Sequence, residues 1–193
     1  MSGASPERPD IGRGDLLFSG EHWINYLRLP GGGRDSAMVS IYRGRFSPAG
    51  PGIAAYVRIE GEAGFAAACT DSPAFERFIR ETMYRNEGPF AGLPVIAAEF
   101  RQEGDVRDRP AWRIAAGDRE IRAVWSGLAA PYVGPPTLHP RIVFTILVFA
   151  SGGSVELDGR PVPGAPYLRD SWTENLGRPH SSVCFALAET MIA

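Results

Sequence analysis

Apolar and polar residues alternate along much of this chain with the two-residue period of half-buried strands. The alternation is clearest at 53–60, where Ile53, Ala55, Val57 and Ile59 fall on one side and Tyr56, Arg58 and Glu60 on the other. Further extended segments run from Leu16 to Leu29, Ala37 to Phe46, Ile53 to Ala68, Val95 to Glu103 and Ser181 to Met191, with glycine and proline between them. Ala111 to Ile114 and Glu120 to Ser126 flank Ala116-Gly117-Asp118-Arg119, a hairpin signal that puts Trp112 and Ile114 on one face with Ile121, Ala123 and Trp125. Ser154 to Leu157 leads into the turn dipeptide Asp158-Gly159. Arg141 to Phe149 is almost continuously apolar, the pattern of a central strand buried on both faces.

One segment departs from this period. Thr70-Asp71-Ser72 supplies capping side chains and Pro73 suits a first helical turn, where its missing N–H costs nothing. Phe75, Phe78, Ile79 and Met83 then recur at helical spacing, with Glu76, Arg77, Arg80 and Glu81 on the remaining positions. Glu76 and Arg80 stand four apart, the favourable order for an ion pair. The helix is expected to stop near Asn86 to Gly88, before Pro89.

About eight to ten strands and one mid-chain helix predict a mainly β protein built as an antiparallel barrel, because closure removes exposed edges. Residues 15–193 form the domain, behind a flexible tail at 1–14. The small residues Ala66, Ala67, Ala68, Ala97, Ala98, Ala186 and Ala188 leave room for an internal cavity. Gly20-Glu21-His22-Trp23 lies on the first strand, close to the Gly-x-Trp of lipocalins, and Arg178 is the counterpart of the late arginine that packs on that tryptophan. On these residues the chain resembles the calycin superfamily of lipocalin-like barrels. The resemblance implies a β-barrel that binds a small apolar ligand, and some calycins are enzymes. A typical lipocalin carries its helix after the last strand, whereas this one falls at mid-chain.

Composition narrows the chemistry. The 193 residues carry 20 basic and 22 acidic side chains, a formal charge of -2, which argues against nucleic-acid and anionic-membrane partners. No lysine occurs, so a Walker A phosphate loop, a pyridoxal Schiff base and lysine aldolase chemistry are excluded. The opening residues lack the apolar centre of a secretory signal, and the longest apolar run is about half of a roughly 20-residue membrane span. A cytoplasmic protein with free thiols at Cys69 and Cys184 is expected. Homo-oligomerisation stays open.

Three histidines are present, His22, His139 and His180, in no metal-ligand spacing, so neither a metal nor a cofactor is expected. His139 reads as a turn residue. His22, Tyr26 and Arg28 share one face of the first strand. They are either an exposed polar stripe on the outer wall or a base, an acid and an oxyanion partner facing a cavity. Arg43 and Arg45, like Arg58, are either solvated charge or ligand-carboxylate clamps. Cys69 precedes the helix cap and reads as a buried thiol rather than a nucleophile. No Gly-x-Ser-x-Gly elbow occurs. The connector at 161–179, with Tyr167, Arg169 and Trp172, is either a plain surface loop or a cover over a ligand site.

The residues therefore predict a barrel that takes a small apolar or aromatic molecule, with or without an acidic group, into its cavity. Tyr26, Tyr56, Trp112, Trp125 and Trp172 are the walls and Arg58 is a candidate anchor. The alternative is a cofactor-independent isomerase, lyase, hydratase or cyclase that uses His22, Tyr26 and Arg28. A third possibility is an interaction module with no ligand, for which a filled barrel is the expected sign.

Overall fold

The computed structural model describes residues 14–62, 64–134, 136–138 and 142–193. The predicted tail, apart from Gly14, and the His139 turn lie outside the described residues. Four strands follow one another from the N-terminus: β1 (Leu16–Arg28), β2 (Asp35–Phe46), β3 (Gly52–Ile59) and β4 (Phe65–Thr70). Helix α1 (Pro73–Thr82) comes next, then β5 (Val95–Ala97), β6 (Glu99–Glu103), β7 (Ala111–Ala116), β8 (Arg119–Leu128), β9 (Ile142–Leu157) and β10 (Val183–Ile192). The protein is mainly β, and the ten strands curl into a nearly closed barrel.

The order of pairing is β5-β4-β3-β2-β1-β10-β9-β8-β7-β6, so each strand lies beside its chain neighbour and the first beside the last. β5 and β6 are separated only by Ala98 and act as one bent strand, leaving nine positions around the ring. A closed ring with an odd number of strands must contain a parallel pair. Here that pair is β4 with β5, and the rest of the path is antiparallel. Parallel neighbours need a long crossover, and α1 supplies it. The mid-chain helix is thus what lets nine strands close.

The two faces of the wall carry separate apolar clusters. Inside, Trp23 stacks on Phe185 at 4.2 Å and meets Trp125 edge-on at 5.1 Å and Trp112 at 6.0 Å. Ile41, Val57, Ile114, Ile121 and Val155 complete the packing around these rings. The predicted alternation holds: Ala55, Val57 and Ile59 point inward and Tyr56 outward. The shared face of Trp112, Ile114, Ile121, Ala123 and Trp125 is likewise inward. Both predicted turns form, with Gly117 at φ 64° and with Asp158 and Gly159 at φ 53° and 73°.

Outside, α1 lies against β3 and β4, and its Phe75 ring reaches across to β2. Ser72 caps it by accepting a hydrogen bond from the Phe75 N–H, and Arg80 Nε donates to Glu76 Oε1 at 2.7 Å. Gly20, Gly44 and Gly52 face one another across β1, β2 and β3. The Phe75 ring rests on the last two of these, where a Cβ at Gly44 would stand 2.3 Å from its edge.

Two expectations are corrected. Glu76 is buried, because Tyr56 beneath the helix donates its hydroxyl proton to the Glu76 backbone carbonyl and carboxylate. The helix also ends earlier, at Thr82 with Met83 as its cap. Within 142–150, only Leu147, Val148 and Ala150 are buried. The rest of that stretch is half-open, because Val143 and Thr145 line a cavity instead of meeting a packed layer.

Candidate functional site

The cavity lies on the outer wall of the barrel, over β1, β10 and β9, and measures about 220 Å³. Its floor comes from these three strands, with His22 and Ile24 from β1, Cys184 and Glu189 from β10, and Thr145 and Leu147 from β9. Tyr42, opposite His22 on β2, closes one side. The connector supplies the opposite wall through Trp172 and Leu176. Trp172 is fixed there by donating its indole N–H to the Ser181 carbonyl at 3.2 Å and by an edge-on contact with Phe149. Arg28 pins the same connector: it pairs with Asp35 at 2.9 Å and lies 3.7 Å above the Tyr167 ring, whose hydroxyl donates to Asp35.

His22 is the centre of a polar row. Its ring stacks on Tyr42 at 3.9 Å, Nε2 lies 2.9 Å from Ser40 Oγ, and Nδ1 faces Glu189 Oε2 at 3.8 Å. Ser40 Oγ lies in turn 2.7 Å from the Tyr84 hydroxyl. Carboxylate, imidazole and hydroxyl thus stand in the order of a hydrolase triad. Ser40 is nevertheless fully buried and shares its hydroxyl with Tyr84, so no substrate carbonyl reaches it. Burial raises the Tyr42 and Tyr84 phenols well above their ordinary range. Tyr26 is pushed up to about 12 by burial, against the opposing pull of Arg169 and of a hydrogen bond with Ser40. Cys184, on the cavity floor, rises to about 12 for the same reason and stays a thiol.

The Thr145 hydroxyl is buried without a hydrogen bond, closed off from the cavity that its residue helps to line.

No family model and no curated protein matches this chain. Its chemistry is therefore read from geometry alone. Among the described residues no set of three His, Cys, Asp or Glu side chains is grouped to hold a metal, and no helix is long and apolar enough to cross a membrane.

Of the residues singled out by sequence, His22 and Trp172 meet at this cavity. His22 does lie on the outer wall, yet the connector and Tyr42 cover it and leave its side chain 16% exposed. Tyr26 sits on the same face among buried aromatics and below Arg169, whose guanidinium is 4.9 Å from its ring. Arg28 is committed to Asp35, and Tyr56 lies under α1. Arg58 is on the surface beside Glu60 and the Pro89 carbonyl. Trp112 and Trp125 are packed inside the barrel, where the Trp125 indole donates to the Ile24 and Cys184 carbonyls. Trp23 is covered by Phe185 and its indole donates to Glu21, while Arg178 is exposed. Arg43 and Arg45 both reach the buried Glu21 carboxylate. Cys69 is buried, and its thiol is raised to about 12 by desolvation.

Sequence reasoning missed Ser40, Tyr42, Tyr84, Thr145 and Glu189. Two carried a legible signal. Glu189 and Thr145 are polar residues inside otherwise apolar strand segments, and such residues ask for a partner.

Proposed function

We propose that this cavity binds a small apolar or aromatic molecule, held against the outer wall of the barrel beneath the connector. The single observation that carries the reading is the cavity itself, walled by Tyr42, Trp172, Leu147 and Ile24 with His22 and Glu189 as its polar groups. Binding sites of this kind are apolar with a few placed polar groups. A volume of about 220 Å³ exceeds the ~150 Å³ that takes up benzene in an engineered apolar cavity, which suits a single-ring ligand.

Proton-transfer catalysis at the same place is the second reading, favoured by Glu189 behind His22. Binding is preferred because His22 Nε2 is engaged with the Ser40 hydroxyl, which is fully buried and out of a substrate's reach. Isothermal titration with toluene tests the proposal in wild type and in Leu147→Trp, which fills the cavity. Saturable binding in the wild type and its loss in the variant are expected. No binding, or binding that survives Leu147→Trp, would overturn it.

A further inference from the structure

We infer that the ligand of this cavity carries a protonated amine, with Glu189 as its counter-charge; the inference rests on the binding reading above. Three glutamates among the described residues are buried: Glu21, Glu76 and Glu189. A buried carboxylate is costly unless charge and hydrogen bonds compensate it. Glu21 accepts from the Trp23 indole and faces Arg43 and Arg45. Glu76 accepts from Tyr56 and from Arg80. Glu189 has no arginine among the described residues. Among the described residues the one basic group it faces is His22 Nδ1, at 3.8 Å, which is longer than a hydrogen bond.

The cavity completes what Glu189 lacks. Among the described residues lining it, Glu189 is the only formally negative side chain and none is an arginine. A carboxylate at the side of a largely apolar, single-ring volume forms a site for a short arylalkyl amine. The same arrangement repels an acid, since a ligand carboxylate would enter beside Glu189.

The test compares benzylamine, toluene and benzoate, equal in ring and differing in charge, by isothermal titration near neutral pH in wild type and Glu189→Gln. Benzylamine is expected to bind at least tenfold more tightly than toluene, with benzoate weakest. Glu189→Gln is expected to erase the amine preference. Toluene or benzoate binding as tightly as benzylamine, or an amine preference that survives in Glu189→Gln, would overturn the inference while leaving the cavity reading intact. Absence of binding by all three would remove the cavity reading and the inference with it. If Glu189→Gln does not fold, the ranking in the wild-type protein decides the matter alone.

Discussion

Gly44→Ala adds one methyl group where the helix meets the barrel, and the geometry fixes what that methyl meets. Its carbon would stand 2.3 Å from Phe75 Cε2 and 2.6 Å from Cζ, well inside contact distance. The ring cannot step aside easily. Phe75 is fully buried and stacked near Phe18 at 6.4 Å, and its own Cβ lies where a Cβ on Gly52 would be only 2.8 Å away. Inserting a methyl into such packing costs about 1–3 kcal/mol, and the tight contact on a trapped ring places this case at the upper end. Replacing glycine by alanine in a strand returns roughly 0.5–1 kcal/mol of backbone entropy. The net loss is about 2 kcal/mol, or a Tm lower by about 4–8 °C for a chain of this size. Urea unfolding of Gly44→Ala, Phe75→Ala and the double variant isolates the contact. Phe75→Ala alone is expected to cost about 3–5 kcal/mol, and the added methyl should then stabilise by about 0.5–1 kcal/mol. An equal cost for Gly44→Ala with and without the Phe75 ring would refute the reasoning.

Three other outcomes are expected. Ser72→Ala removes the side-chain cap of α1 and should lower stability by about 1 kcal/mol in urea titration; no change would show that the cap is dispensable. The Tyr26 and Tyr167 phenols rise from 10.0 to about 12, largely by burial, so between pH 10 and 12 the native state keeps protons that the unfolded chain has released. Stability is thus intact below pH 10 and falls as pH rises through that window, and tyrosinate absorbance should grow together with loss of β circular dichroism. Tyrosine ionisation near pH 10 without unfolding would contradict this. Both thiols should resist a disulfide reagent until urea exposes them, since Cys69 and Cys184 are buried and raised to about 12; fast labelling of the native protein would refute their burial.

The strand faces and the helix were legible in the sequence because each depends on local period. The alternation at 53–60 and the Ser72-Pro73 start sit where they were expected. What the sequence withheld depends on register between distant segments. Gly20, Gly44 and Gly52 are ordinary turn-prone residues until the pairing of β1, β2 and β3 puts them in one row beneath Phe75. The site was partly visible for the same reason: His22 stood out as a polar residue in a strand, but Glu189 is 167 positions away in sequence (189 minus 22) and reaches it only because β1 pairs with β10. The tryptophans misled by their size. Trp112 and Trp125 were read as cavity walls, whereas large rings in a narrow barrel fill it, and here they pack against Trp23.

The account's central claim is that a ligand enters on the outer wall and leaves the barrel interior untouched. Methyl NMR of the protein with ¹³C-labelled Val, Leu and Ile side chains, titrated with toluene, tests it most directly. The account predicts shifts at Val143, Leu147 and Leu176, which line the outer cavity, and none at Ile41, Val57 or Ile114 inside the barrel. Shifts confined to Ile41, Val57 and Ile114 would contradict it and put the ligand back in the lumen.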